Sequence, residues 1–287
     1  MPEVNSLIQE RLSVSGKYAK YVGLVVVLFL AACENANTSQ PTPEAAKRFL
    51  KLRGYEFDEK SFFKAAEDGD LMAVNGFISA GINVNARDDS GDTVLTAAAA
   101  RGDTKVANAL LRDGGEVNAK GRNGWTAFLL SLENERDEVA DLLLAQPKLD
   151  ITAESPEGMT ALMIAVWHLR EAFVRKLLQR GSDVNHQDKD GDTALNGAAL
   201  YGNVKILDLL LDAGANPNIK NKLGGTALMW AAAYGHDEVV RVLLTRGANP
   251  GLRDVDGVTA AGWAAKNGQA KLVMILRQAE KSEGRKQ

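Results

Sequence analysis

Gly191-Asp-Thr-Ala-Leu-Asn-Gly-Ala-Ala-Leu-Tyr-Gly202, followed by Asn203-Val-Lys-Ile-Leu-Asp-Leu-Leu-Leu-Asp-Ala-Gly-Ala-Asn-Pro-Asn218, is the stretch that decides the fold. It contains two short helical patterns separated by Gly202, and the second pattern ends at Gly214. Thr193 lies where a helix N-cap is needed, since its hydroxyl can accept a free backbone N–H. A glycine between the helices permits the left-handed turn that ends the first one. The stretch therefore predicts a helix-turn-helix unit.

The same pattern recurs along most of the chain. Gly-x-Thr occurs six times, with threonines 33, 34, 33, 33 and 33 residues apart: Thr93, Thr126, Thr160, Thr193, Thr226 and Thr259. One helix pair cannot bury its apolar face alone, so such units stack on their neighbours. The spacing predicts a stacked-repeat protein.

These units resemble the ankyrin repeat. Thr-Ala-Leu-Met-Trp-Ala-Ala at 226–232 matches the family signature Thr-Pro-Leu-His-x-Ala-Ala, with Ala for Pro and Met for His. The end of the unit at 209–218 matches the family's Leu-Leu-x-x-Gly-Ala-Asp-Val-Asn. The resemblance covers about residues 58–279. It implies an all-α solenoid of helix-turn-helix units with short β-hairpin-like tips, about six repeats in number.

A degenerate unit precedes the six repeats. Residues 62–69 and 74–81 keep both helices but lack Gly-x-Thr, which is typical of an N-terminal cap. Ala45 to Leu52 form a possible further helix. We therefore expect the repeat domain to span residues 45–279, with a charged tail at 280–287.

Two repeats depart from the family pattern. The glycine between helices is replaced by Glu135 in the second repeat and by Leu169 in the third. The second repeat also ends with Gln146-Pro147-Lys148 and carries one extra residue. A left-handed backbone is unfavourable for bulky side chains, so each turn must differ or be strained. The alternatives are ordinary drift and a distorted, mobile middle at 135–170 that meets a partner.

The resemblance implies that the hairpin tips and the exposed face of the first helices line a concave groove. Aromatic residues are common anchors for partner proteins. We predict partner binding by residues at matching tip and helix positions: Trp125, Trp167, His168, Tyr201 and Tyr234. The alternative is that these aromatic residues merely cover the stack. Trp230 and Trp263 fall at a more buried helix position, and we expect both to be core residues.

The tips carry an uneven charge. Several contain aspartates, among them Asp88, Asp188, Asp192 and Asp254, while Lys120, Arg122, Lys220 and Lys222 make two others basic. Such a pattern is usual for a solvated ridge, and it could also steer a charged partner. The run Asp188-Lys-Asp-Gly-Asp192 resembles the start of a calcium loop, but Thr193 and Ala199 occupy positions where that loop needs Gly and an acid. A hairpin tip explains these residues better.

The N-terminus has the pattern of a secretory signal. Val22 to Ala32 form an uncharged apolar run, too short for a membrane-spanning helix and suited to a signal peptide. Leu30-Ala31-Ala32-Cys33 resembles the lipobox of bacterial lipoproteins, which implies lipidation of Cys33 after removal of the preceding residues. The alternatives are an uncleaved anchor and a chance buried cysteine. A translation start at Val14, which a GTG codon would permit, is a further hypothesis.

A lipidated Cys33 would be followed by a flexible tether at 34–44, since that stretch is polar and contains two prolines. The protein would then be anchored in a bacterial cell envelope, facing the periplasm. Glu34 is not the Asp that resembles an inner-membrane retention signal, so the outer membrane is preferred.

The composition and the motifs disfavour several classes of function. The charge is balanced at 34 basic against 37 acidic residues, which disfavours a nucleic-acid surface. We predict no catalytic residue, metal or cofactor, because no phosphate loop, nucleophile elbow or zinc motif occurs. The sequence predicts a membrane-tethered scaffold or inhibitor that binds an unidentified protein through the groove. The alternatives are an enzyme of unrecognised type in the envelope and an intracellular adaptor without lipid.

Overall fold

A computed structural model describes residues 41–121 and 123–283 of the chain. Cys33, the preceding signal, most of the expected tether and Arg122 lie outside these residues. The described part contains fifteen helices: α1 Pro43–Leu52, α2 Glu59–Glu67, α3 Leu71–Ser79, α4 Val94–Arg101, α5 Thr104–Arg112, α6 Ala127–Glu133, α7 Asp137–Leu144, α8 Ala161–Trp167, α9 Glu171–Gln179, α10 Ala194–Tyr201, α11 Val204–Asp212, α12 Ala227–Tyr234, α13 Asp237–Thr245, α14 Ala260–Lys266 and α15 Ala270–Glu283. The all-α prediction is confirmed.

The described residues form two compact units, and the helices α4 to α15 make up repeats one to six in pairs. The first unit comprises residues 41–98 and 103–116. In it, α1 and α2 pack against α3, and α3 packs against α5. Phe62 and Phe77 are fully buried there, with ring centroids 5.5 Å apart. The helix expected at 45–52 is present and begins at Pro43, because Thr42 caps it.

The second unit comprises residues 99–102 and 117–283, and its helices form two rows. The first helices of successive repeats pack in series, α6 on α8, then α10, α12 and α14. The second helices α9, α11, α13 and α15 do the same. Small buried residues such as Ala198, Ala231 and Ala264 allow this close approach. The final helix continues to Glu283, four residues into the charged segment expected from residue 280.

The threonines of the repeats cap their first helices as predicted. Thr226 Oγ1, for example, accepts a hydrogen bond from the Met229 amide at 3.4 Å. The equivalent hydroxyl of Thr93 accepts one from the Thr96 amide at 3.1 Å. Each bond takes up one of the donors that a helix start leaves free, which fixes the first helix after its tip.

The tips form the β-hairpin-like corners that the resemblance implies. Isolated antiparallel bridges close three of them, at Arg87 and Thr93, Lys120 and Thr126, and Glu154 and Thr160. In the second unit, backbone hydrogen bonds also join successive tips, from Lys189 N to Glu157 O at 2.9 Å and from Lys222 N to Asp190 O at 2.9 Å. A third joins Val255 N to Leu223 O at 3.0 Å. The tips of repeats three to six are therefore tied into one edge.

Turn geometry is preserved where glycine is missing. Glu135 and Leu169 adopt left-handed φ values of 56° and 55°, close to the 77° of Gly235 in repeat five. The amide after each of them bonds back to the preceding helix, at 2.7 Å for Arg136 and 2.8 Å for Arg170. Of the two expected outcomes, a different turn or a strained one, the structure has the second, since a Cβ in this conformation is unfavourable. Residues 135–170 keep the repeat fold.

Two other left-handed glycines differ in their surroundings. A Cβ added to Gly214, at φ 91°, would meet nothing within 4 Å. A Cβ added to Gly224, at φ 75°, would lie 2.8 Å from the Asp254 Cα. Gly224 is therefore required both by its backbone angle and by the close approach of the next tip.

Candidate binding groove

A groove lies between the tips and the first helices of repeats three to six, entirely within the second unit. Two neighbouring cavities lie in it. The first cavity, of about 460 Å³, is lined mainly by α8, α10 and the tips of repeats three and four. The second cavity, of about 540 Å³, is lined by repeats five and six. Trp230 borders both cavities, so the two adjoin.

The first cavity exists because α10 has a glycine on its groove face. Gly197 occupies the place that Ile164 holds in repeat three and Trp230 in repeat five. A Cβ at Gly197 would approach the Val166 Cγ1 to 3.4 Å, so larger side chains would begin to fill the space. The floor and walls are apolar: Met159, Met163, Val166, Trp167, Leu200 and Trp230.

The second cavity has aromatic walls. Trp230 and Tyr234 lie with ring centroids 6.2 Å apart. The indole Nε1 of Trp263 donates to Asp254 Oδ2 at 2.8 Å, and the Lys266 ammonium lies 4.8 Å from the Trp263 ring centroid. The expectation that Trp230 and Trp263 are core residues is wrong, since both are half-buried and border the cavities. The small residues around them, such as Gly197 and Ala233, leave their rings uncovered.

The structure brings some of the predicted aromatic residues together. Trp167 and Tyr201, exposed by 48% and 41%, meet edge to face with centroids 5.4 Å apart. Tyr234 is 57% exposed and stacks on the His236 ring at 6.4 Å. Trp125 is half-buried in the tip of repeat two and lines neither cavity. Partner binding by these residues stays a prediction.

His168 contacts a cluster of charged side chains between repeats two and three. Its Nε2 lies 3.2 Å from Glu133 Oε2, and its Nδ1 lies 3.6 Å from Glu135 Oε1. Arg170 pairs with Glu135 at 3.0 Å and also with Asp137. The two repeats that lack the turn glycine are thus joined by ion pairs, one of which involves a left-handed residue. His168 already has partners within the chain.

The aspartates at the first position of two tips stabilise the fold of those tips. Asp188 Oδ1 accepts the amides of Asp190 and Asp192, each at 2.9 Å. Asp254 accepts the amides of Asp256 and Val258 in the same way. These hydrogen bonds stabilise the turn of each tip. They agree with the interpretation of the run Asp188–Asp192 as a hairpin tip and not as a calcium loop.

Asp192 lies between two such tips. Its Oδ1 accepts hydrogen bonds from Asn196 Nδ2 at 2.8 Å and Asn221 Nδ2 at 3.0 Å. Burial raises the pKa of Asp192 against the effect of these hydrogen bonds, and the charges of Asp188 and Asp190 act in the same direction as burial. At this edge of the cavity, the ionised form of Asp192 is therefore unfavourable unless a cation lies near it.

Other kinds of site are not seen in the described ranges. Within 41–121 and 123–283, no group of three or more His, Cys, Asp or Glu is placed to hold a metal ion. In the same residues, no helix has the length and apolar content to cross a membrane. His236 Nε2 lies 2.9 Å from the Leu200 carbonyl oxygen, a contact that joins repeat five to repeat four.

Comparisons with known proteins agree with the geometry. A family model described as ankyrin repeats (3 copies) matches residues 62–155, 117–188, 148–221 and 195–286. The ankyrin repeat domain of Bcl-3, whose structure is described as that of a unique member of the IkappaB protein family, is similar at 31% identity and a TM-score of 0.62. The match covers 71% of this chain and 92% of that one. EF0377, an ankyrin repeat protein, is similar at 28% identity and a TM-score of 0.59, over 63% of this chain and 95% of that one. No curated protein sequence matches the chain.

Proposed function

The chain belongs to the ankyrin-repeat family, which makes it a protein-interaction scaffold, and we propose that its groove over repeats three to six holds a partner protein at an envelope membrane. The observation that carries the proposal is the pair of adjoining cavities with uncovered aromatic rings. Trp167, Tyr201 and Tyr234 are each more than 40% exposed along this one surface. Exposed aromatic clusters of this kind supply most of the binding energy at many protein interfaces.

The tied tips favour a preorganised surface. Hydrogen bonds between successive tips hold the groove edge in place before a partner arrives. A rigid surface loses little conformational entropy on binding, so more of the contact energy appears as affinity. The scaffold thus acts by non-covalent binding, either to assemble proteins or to inhibit an envelope enzyme or incoming toxin.

Capture of a stoichiometric partner tests the groove. The full chain would be purified from detergent-solubilised membranes of the cells that make it, as wild type and as Trp167→Ala or Tyr234→Ala. Met274→Ala is the matched control, since Met274 is 69% exposed on a second helix, away from the groove. We expect either groove variant to reduce the bound partner about tenfold or more, because a central aromatic anchor contributes roughly 2 kcal/mol. Equal capture by all variants would contradict the proposal.

We further propose that a lipid on Cys33 provides the membrane attachment. The support is the run Leu30-Ala31-Ala32-Cys33 after an apolar segment, with a polar stretch behind it. Several acyl chains anchor a protein firmly, whereas one binds only marginally. The proposed domain order is a signal peptide at 1–33, a short tether, the repeat domain and a charged C-terminal end. The proposed location is the periplasmic face of the outer membrane.

Metabolic labelling with a palmitate analogue tests the anchor independently of the groove. We expect label on the wild type in the membrane fraction, and an unlabelled, unprocessed precursor for Cys33→Ala. Absence of label from both would refute the anchor and favour an intracellular adaptor, while leaving the groove proposal unaffected.

A further inference from the structure

The first cavity has acidic groups at its mouth and apolar walls within. Four carboxylates line it, those of Glu157, Asp188, Asp190 and Asp192, against the single cation of Lys189. Asp188 is used in folding its tip, and Asp192 accepts two amide hydrogen bonds. Glu157 and Asp190 are exposed at the mouth. No ion pair in the described part of the chain involves Glu157, Asp190 or Asp192.

The acidic mouth and the apolar walls together favour the binding of one kind of side chain. An apolar group would cover Asp192 and Asp190 without neutralising them, which raises the cost of their desolvation. An acidic group would be repelled by the mouth. A long aliphatic stem ending in a cation satisfies both parts, because the stem can lie against Met159 and Met163 while the charge stays near the carboxylates. Trp167 and Trp230 also line this cavity, and aromatic rings attract cations.

We propose that the first cavity binds the side chain of a lysine or arginine in an extended segment of the partner protein. This inference rests on the proposed function of the groove and names the chemistry of its ligand. The volume of about 460 Å³ lies within the range of pockets that enclose such groups.

The position of the second cavity adds a spacing to the proposal. The first cavity lies over repeats three and four and the second over repeats five and six, so they are two repeats apart. Packed helices lie about 8–10 Å from each other, which places the cavities roughly 16–20 Å apart. An extended chain advances about 3.3 Å per residue. A residue about five or six positions from the basic one therefore reaches the second cavity, whose walls of Trp230, Tyr234 and Trp263 suit an apolar side chain.

A random library of displayed twelve-residue peptides, selected on the full chain, tests this directly. The expected sequences share one lysine or arginine with an apolar residue about five or six positions away. Each selected peptide is then synthesised with its basic residue replaced by norleucine or citrulline, which keep the length and remove the charge. Calorimetric titration should show about tenfold weaker binding for the uncharged peptide, as expected for a close charge pair at an interface.

A variant of the protein locates the charge partner. Glu157→Gln with Asp190→Asn should weaken the charged peptide about tenfold and leave the uncharged peptide unchanged. Asp256→Asn is the matched control, because Asp256 holds the same tip position in repeat six and does not line the first cavity. Equal loss for both peptides, or no loss for either, would overturn the assignment of the cation to this cavity.

The outcomes separate this inference from the proposed function. One outcome is that Tyr234→Ala weakens binding of the peptides while replacement of their basic residue by norleucine does not. The groove then remains the binding surface, and the proposed cation is refuted. Selection of no peptide, or of peptides insensitive to both Trp167→Ala and Tyr234→Ala, contradicts the groove function and the inference together. Binding of n-butylguanidinium alone as tightly as the peptide would overturn the extended segment as the ligand.

Discussion

Leu169 provides the sharpest test of how the repeat turn is built. It occupies the left-handed turn between α8 and α9 at φ 55°, where most repeats have glycine. Its side chain is 45% exposed, so replacement removes little packing. The turn hydrogen bonds come from backbone amides and are unaffected by the side chain. Leu169→Gly therefore changes mainly the strain of one residue.

The expected gain follows from two opposing effects. A left-handed conformation costs a residue with a Cβ about 1–2 kcal/mol, and glycine is free of this cost. Glycine also gives the unfolded chain more freedom, which lowers stability by about 0.4–1 kcal/mol. The net expectation is that Leu169→Gly increases the free energy of unfolding by about 0.5–1 kcal/mol.

Urea unfolding of the full chain, followed by circular dichroism, measures this difference. We expect a higher midpoint for Leu169→Gly at an unchanged slope, and a smaller increase for Leu169→Asn, since asparagine tolerates this backbone better than leucine. Glu135→Gly is the comparison at the other such turn, and it should gain less because Glu135 pairs with Arg170. A midpoint for Leu169→Gly at or below that of the wild type would refute the strain.

Four further substitutions are expected to alter stability. Gly214→Ala should lower the free energy of unfolding by about 1 kcal/mol through backbone strain alone, and Gly224→Ala by clearly more because its Cβ meets the next tip, as urea titrations of both would show. The raised pKa of Asp192 means that its stabilising contribution is present below the ordinary value of 3.8 and lost as pH rises through the folded-state value. Asp192→Asn should therefore gain stability relative to the wild type between about pH 4 and pH 7, and a constant difference across that range would contradict the burial of the charge. Arg170→Met should cost about 1 kcal/mol by urea titration at low salt and less at high salt, since its two ion pairs are partly solvent-exposed; a salt-independent cost would indicate packing instead.

The repeat architecture can be predicted from sequence because its signals are local. The threonine caps and the left-handed glycines depend on backbone geometry within a few residues, and their regular spacing shows that the units stack. The helix at Pro43–Leu52 is predictable for the same reason. Helix α15 extends into the charged segment that begins at residue 280, since charged residues such as Lys281 are compatible with a solvated helix end.

The groove can be predicted only in part. The resemblance to a family indicates the face that is expected to bind, and Trp167, Tyr201 and Tyr234 are exposed on it. The sequence places Trp230 and Trp263 in the core because their helix position is usually covered. Whether it is covered depends on the size of neighbours in other repeats, such as Gly197, which the sequence of one repeat does not show.

The preserved turns at Glu135 and Leu169 need the structure as well. Sequence alone indicates that these residues are unsuited to the left-handed region, but tertiary packing decides whether the turn changes or the strain is accepted. In this protein the network of Arg170 with Glu135 and Asp137 spans the same two repeats, and it contributes to holding them in register.

We expect the groove over repeats three to six to contact the partner protein in the cell. Site-specific photocrosslinking measures this most directly, with a benzophenone amino acid introduced at Tyr234 and, in a separate protein, at Met274. Both positions are more than half exposed, but only Tyr234 lies in the groove. We expect a crosslink to one partner protein from position 234 and none from position 274. A crosslink to the same protein from position 274 alone would contradict it.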